Sequence, residues 1–227
     1  MLLIRRDEVM NLDNAMRGAR NPMNSWDKSD SRWSHPSPFA LYDYTAPKSK
    51  YVLGPNDIDL AKRLVKAGPD HRKFLRQIFV CVDVTAPIYW WKEYDTYKVA
   101  TVANSTSTMH KIHSKEFSMN DFSVDHMTPD TYAFMENVVV PKMEEIRLRY
   151  MNNGKNKDDW YDMIQLLPSS YNQMRTLTFN YETLTNIYKA RRNHKLQEWH
   201  VFCDWIESLP YAAILITGEG LLEQEDV

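Results

Sequence analysis

Cysteine is scarce in this chain: Cys81 and Cys203 are the two among 227 residues, and neither sits near a second cysteine or at a metal-ligating spacing. That excludes a disulfide framework and a thiolate zinc centre. Both are expected to be reduced, buried core residues of a cytoplasmic protein. Long apolar runs are missing too. No stretch approaches the ~18 consecutive apolar residues of a membrane span, and Arg5 and Arg6 follow a very short apolar piece, which argues against a secretory leader.

Charge of one sign is also lacking. The chain has 28 Lys and Arg against 30 Asp and Glu, a net charge of −2 and a pI near 6.4. Without a global basic field, long nucleic acid is not an expected partner, and a small anionic ligand held in a local basic pocket fits better. There is no internal repeat and no low-complexity array. His71, His110, His113 and His126 have no cysteine or fixed carboxylate spacing beside them, so no metal site is expected; His194 and His200 read as surface or interface residues.

What is present is 43% hydrophobic and 12% aromatic, enough to bury a sizeable core. Residues 1–217 read as one domain carrying a Ser/Pro/Trp-rich loop at 23–50, and 218–227 as a loose acidic tail. Val9, Leu12, Ala15, Met16 and Ala19 give helix-compatible spacing over 7–20, ended by Asn21 and Pro22. A second helix opens after Gly54 and Pro55, with Asn56 as its cap and Gly68 and Pro69 as its stop. The β-branched run 78–84 suits a strand, although a long helix could contain part of it.

Further on, 89–98 can continue as helix, and 99–107 suits a strand or an extended loop that lines a ligand. Thr128 and Pro129 start a helical region in which Pro141 must begin a second helix or kink the first. Residues 143–150 are helical, 152–156 a turn, and 158–167 a helix closed by Pro168. A final helix is expected over 172–207, interrupted near Arg192, Asn193 and His194.

The segment from Ala86 to His110 concentrates the chemistry. Trp90, Trp91 and Tyr94 can stack on a base or flavin, or belong to the core or a subunit interface. Ser105, Thr106, Ser107 and Thr108 can donate to a phosphate, or simply cap and turn the chain. Lys189, Arg191 and Arg192 form a helical cationic cluster, which is often only a solvated face.

Several blocks then occur in one order: Ala19 and Arg20 before a polar loop; 64–71, ending in Gly68 and His71; Ala86 and Pro87 before the loop just described; Leu167 and Pro168; Thr178 to Asn180; and Leu184, Asn186, Ile187, Ala190, Arg191, Gln197 and Glu198. In order and spacing this pattern resembles the flavin-dependent thymidylate synthases. The resemblance implies an α/β (α+β) fold with helices packed around a central mixed or antiparallel sheet, assembled as a homotetramer. It also implies a reaction in which NADPH reduces FAD and a methylene from methylenetetrahydrofolate is delivered to dUMP, the protein chiefly orienting the partners.

Carried over by position, the family's Arg-His-Arg triplet falls on Thr96, Tyr97 and Lys98, its upstream flavin-contacting histidine on Gln77, and its substrate-contacting glutamine on Glu93. The Asn-Glu-x-Ser-x-Arg-Tyr run falls on 104–110, keeping Asn104 and Ser107 and placing Ser105, Met109 and His110 where the family has Glu, Arg and Tyr. Asn180 and Arg191 match, and Glu182 replaces an arginine. The implied cofactor set is Gln77, Tyr97, Lys98, Asn104 and Asn180. The implied nucleotide set is Glu93, Ser105, Ser107 and Arg191, with Ser107 and Arg191 as the catalytic candidates.

An FAD pyrophosphate needs donors and positive charge, and the replacements at 77, 96, 97 and 182 remove most of both. Two function classes follow: an enzyme of this type, acting on a pyrimidine nucleotide, or a non-catalytic descendant that binds a nucleotide-like ligand or a protein. A purely structural protein, with the Trp-rich segment as interface anchor, is a third. Glu93 adds a variation on the first, because a carboxylate at a pocket can accept from the amino group of cytosine or guanine.

Overall fold

The computed structural model describes residues 1–34 and 50–218. Residues 35–49 of the Ser/Pro-rich loop and 219–227 of the acidic tail lie outside the described residues, so the expectations for those stretches do too. A four-stranded sheet has the order β1-β4-β6-β5, with β1 Leu3–Met10, β4 Phe79–Pro87, β5 Val102–Ser105 and β6 Asn172–Asn180. A small antiparallel pair joins β2 Arg32–Trp33 to β3 Tyr51–Val52. The chain divides into two compact units, one of residues 1–7, 82–98 and 102–177, the other of 8–81, 99–101 and 178–227. Strands β1, β4 and β6 each contribute residues to both.

The first unit carries α3 Ile88–Tyr94 and the helical region that Pro129 opens. That region runs as α4 Pro129–Phe134, a π turn Met135–Val139 and α5 Val140–Asn152, then turns into α6 Lys157–Leu166. Pro141 offers no N–H and its ring crowds the preceding turn, and the wider π turn just before it absorbs both defects without breaking the helix. Ile112, Phe117, Phe122, Met135, Met143, Ile146 and Met163 fill the core of this unit. Trp90 and Trp91 are fully buried and Tyr94 is nearly so. The tryptophan indoles meet edge-on at 4.9 Å. Of the two readings of this aromatic run, the core one holds.

The second unit carries α1 Leu12–Arg20, α2 Pro55–Lys66, α7 Tyr181–Arg191, α8 Gln197–Ser208 and α9 Ala212–Leu215. Helix α1 buries Leu12, Ala15, Met16, Ala19 and Arg20, the single stripe of an amphipathic helix. The helix expected over 7–20 begins only at Leu12, because residues up to Met10 pair as strand and Asn11 takes a left-handed conformation, φ 68°. Asparagine tolerates that conformation better than most residues. Its side chain donates to the Gln77 carbonyl at 2.9 Å.

Two further expectations are corrected. The helix over 172–207 is strand β6 as far as Asn180, then α7 and α8 with the break near Arg192. Gln173, Leu177 and Phe179 are buried on alternating positions, a period of two where a helix was read. Asn56 does not cap α2; the Asp30 carboxylate accepts from the Asn56 and Asp57 backbone N–H groups at 2.9 and 3.2 Å. A carboxylate reaching in from elsewhere satisfies the same orphan donors that a local cap would.

Candidate functional site

Ser107 lines a cavity of about 460 Å³ in the first unit, together with Thr106, Lys111, Ser114, Lys115 and Asn172 among others. Its loop is fixed at both ends. Thr106 donates from its backbone N–H to the Met174 carbonyl at 2.9 Å, and the Gln173 amide donates to the Thr106 carbonyl at 2.7 Å, tying the loop to β6. On the other side the Trp160 indole N–H of α6 donates to the Met109 carbonyl at 3.0 Å.

Between these anchors the Ser107 hydroxyl oxygen accepts from the backbone N–H groups of His110 and Met109 at 2.8 and 3.2 Å. Both lone pairs are thereby engaged, and the hydroxyl proton is left to donate outward, polarised by the two donors behind it. The cations come from the next turn. A 3₁₀ turn, Ile112–Ser114, buries Ile112 and is closed by the Ser114 N–H and hydroxyl donating to the Lys111 carbonyl at 3.0 and 2.6 Å. Lys111 and Lys115 flank that turn, and both line the cavity.

Asp121 is the cavity's carboxylate. It pairs with Lys115 and accepts from the Ser118 N–H at 2.9 Å. Tyr171 closes the wall, packed edge-on against Phe122 at 5.7 Å and Phe117 at 6.4 Å. Burial pushes its phenol upward, and the Asp121 charge adds to this, so it stays a neutral donor.

Of the other expected residues in this unit, Asn104 and Ser105 are exposed on β5, Lys98 is exposed beyond α3, and Glu93 and Tyr97 are half-buried. Tyr97 lies 6.5 Å from the Tyr94 ring. Thr96 donates its hydroxyl to the Glu93 carbonyl at 2.8 Å. Arg175 of β6 stacks over Trp91 at 4.2 Å and pairs with Asp95 at 2.7 Å.

In the second unit Asn180 caps α7, its side-chain oxygen accepting from the Thr183 N–H at 2.9 Å and hydroxyl at 3.2 Å. Arg191, in the last turn of α7, stacks its guanidinium over Trp199 at 4.8 Å. Gln77 lies against Gly18 of α1, where its side-chain oxygen stands 2.8 Å from the point a Cβ would occupy. Glu182 makes a buried bidentate pair with Arg72, the shortest contact 3.0 Å. That pair accounts for the carboxylate at 182, which is committed to Arg72.

No protein-family model matches the sequence, and no curated protein matches it. The solved structures do match. A thymidylate synthase X from Helicobacter pylori, solved with FAD and dUMP, superposes with a TM-score of 0.69 at 15% identity, covering 99% of this chain and all of the other. The chain has the fold of the flavin-dependent thymidylate synthases. A second crystal structure of that Helicobacter pylori synthase gives 0.63 at 15% identity, covering 98% of this chain and 99% of that one. A UMP/dUMP methylase from Streptomyces cacaoi, bound to 5-Br dUMP, gives 0.60 at 13%, covering 97% of this chain and 96% of that one.

Against that flavin-dependent thymidylate synthase fold, the residues at the expected FAD positions do not fit a pyrophosphate. Lys98 is the sole cation among positions 96–98, and the Thr96 hydroxyl is turned to its own backbone. Sequence reasoning missed Lys111 and Lys115. Their signal was a lysine four and eight residues after Ser107, which reads as a solvated helical face until the 3₁₀ turn is seen. Among the described residues no three His, Cys, Asp or Glu side chains gather as metal ligands, and no helix is long and apolar enough to cross a membrane.

Proposed function

We propose that this protein binds a pyrimidine nucleoside monophosphate of the dUMP class, with the phosphate received by Ser107, Lys111 and Lys115. The observation that carries the reading is the Ser107 hydroxyl, whose acceptor sites are filled by two backbone N–H groups, leaving a donor beside two lysines. Support from the fold is that structural neighbours are described with dUMP or its 5-bromo analogue. Met109 and His110 stand where the resemblance places Arg and Tyr, and Lys111 and Lys115, the latter paired with Asp121, restore one net positive charge a turn later. A lysine offers a compact point charge where an arginine would give a fork, so phosphate is held by charge more than by geometry.

Isothermal titration with dUMP, UMP, dCMP and deoxyuridine tests this. We expect the monophosphates to bind at least about tenfold more tightly than deoxyuridine, a difference of ~1.4 kcal/mol. Ser107→Ala and Lys111→Ala should each remove most of that preference, since a charge-assisted hydrogen bond is worth ~1.5–3 kcal/mol. Equal binding of nucleoside and nucleotide would refute the reading.

A second reading, flavin-dependent methyl transfer to the base, is favoured by Asn104, Ser107, Asn180 and Arg191 standing at matching positions. NADPH and methylenetetrahydrofolate would then be required as well. Flavin titration separates the two: an FAD-saturable visible absorbance on the purified chain supports the second, and nucleotide binding with no flavin uptake supports a nucleotide-binding descendant of the fold.

A further inference from the structure

Arg20 presents a donor that the fold leaves unmet. Its Nε donates to Asp57 at 2.6 Å and its Nη1 to the Ser25 carbonyl at 3.1 Å, but its buried Nη2 has no hydrogen-bond partner among the described residues. Asp57 takes Arg20 Nε on one oxygen and Ser29, at 2.7 Å, with Ser31 on the other, and none of these bonds reaches Nη2. A buried charged donor without a partner is rare in folded proteins and costs stability. Arg20 also lines a cavity of about 280 Å³, far from the nucleotide cavity in sequence, with Asp13, Asn14, Arg17, Trp26, Ser29 and Tyr51.

The lining has a definite chemistry. Asp57 offsets Arg20, and Asp13 offsets Arg17, so the walls are close to neutral and do not favour an anion. Trp26 is 47% exposed, with its indole N–H fixed by Asn21 at 2.8 Å. Tyr51 supplies a second aromatic surface on the cavity wall. Asn14 donates to Asn11 at 2.9 Å, leaving its oxygen as an acceptor. Two guanidiniums, a carboxylate, an amide oxygen and aromatic planes in a volume of this size suit one planar heterocycle bearing both donors and acceptors.

We propose that this cavity binds a guanine-type base. The Asp13 carboxylate accepts the two adjacent ring and amino N–H groups, Arg17 donates to the carbonyl and ring-nitrogen edge, and Trp26 stacks on the ring. The site is separate from the Ser107 cavity and does not depend on it.

Titration of the full-length protein with guanosine, inosine and adenosine tests the assignment. Guanosine should bind at least about tenfold more tightly than inosine, which lacks the amino donor, and more tightly still than adenosine, which lacks both groups facing Asp13. Asp13→Asn should erase the preference for guanosine over inosine, and Trp26→Ala should weaken all three nucleosides alike. Ser107→Ala should leave guanosine binding unchanged, so that failure here is distinct from failure of the nucleotide reading. Absence of guanosine binding at ~1 mM, near the weak limit of specific affinity, or equal affinity for the three nucleosides, overturns the proposal. The nucleoside comparison stands on the unmutated protein, so it holds even where a variant misfolds.

Discussion

At the scale of single residues, the strongest commitments are buried charges. Asp57 is fully buried. Burial alone would raise its carboxyl, but hydrogen bonds from Ser31, Ser29 and Arg20 and the arginine's charge outweigh it and hold the group below the usual carboxylate range. A depressed folded-state value means that the stabilisation is complete above the unfolded value, near pH ~3.9. It is lost as pH falls through the lower folded value. Asp57→Asn should therefore cost ~3–5 kcal/mol at neutral pH, because it strands a buried guanidinium. Urea unfolding measures the loss, and the gap between wild type and variant should narrow in acid; a loss under ~1 kcal/mol would place the pair among weak surface contacts. The same scale explains what the sequence concealed. Ser107 is named by the resemblance, whereas Lys111 and Lys115 are not, since their place on the same cavity wall depends on a turn that buries Ile112 and sets one lysine on each side.

At the scale of elements, the departures from expectation have physical causes. Strand β6 was read as helix because its apolar residues also match a helical spacing over a few turns. Alternating burial and the pairing with β4 and β5 decided otherwise. The break between β1 and α1 rests on one left-handed asparagine, and the cap of α2 on Asp30, a partner that local sequence cannot name. Helices α3, α5 and α6 were legible because Pro87 and Pro141 at the starts of the first two and the Asn156 cap of the third are local. The buried Arg72 and Glu182 pair is the element-scale test, since it anchors the first turn of α7. Glu182→Ala should cost ~3–5 kcal/mol by leaving Arg72 uncompensated, while Arg72→Met with Glu182→Leu should be close to neutral. A double-mutant cycle in urea reads the coupling. If the double variant is as unstable as the single one, the pair specifies the packing of α7 rather than merely tolerating burial.

At the scale of the whole molecule, the question is whether the two units unfold together. Strands β1, β4 and β6 carry residues of both, so loss of one unit deprives the other of part of its strands, and a single cooperative transition is expected. Cys203 provides the probe. It is fully buried in α8 of the second unit, and burial pushes its thiol up to about 12, so the reactive thiolate is nearly absent near neutral pH. Alkylation of Cys203 in native protein should then proceed only through opening of that unit. The Ser107 cavity lies in the first unit, so the proposed binding of dUMP there, at about a hundred times its Kd, would add ~2.7 kcal/mol to that unit's stability. If the units unfold as one, labelling of Cys203 should slow by about a hundredfold when dUMP is added, read by mass spectrometry of the alkylated peptide. Unchanged Cys203 labelling, alongside a dUMP-dependent rise in the melting of the first unit, would show that the shared strands do not couple them.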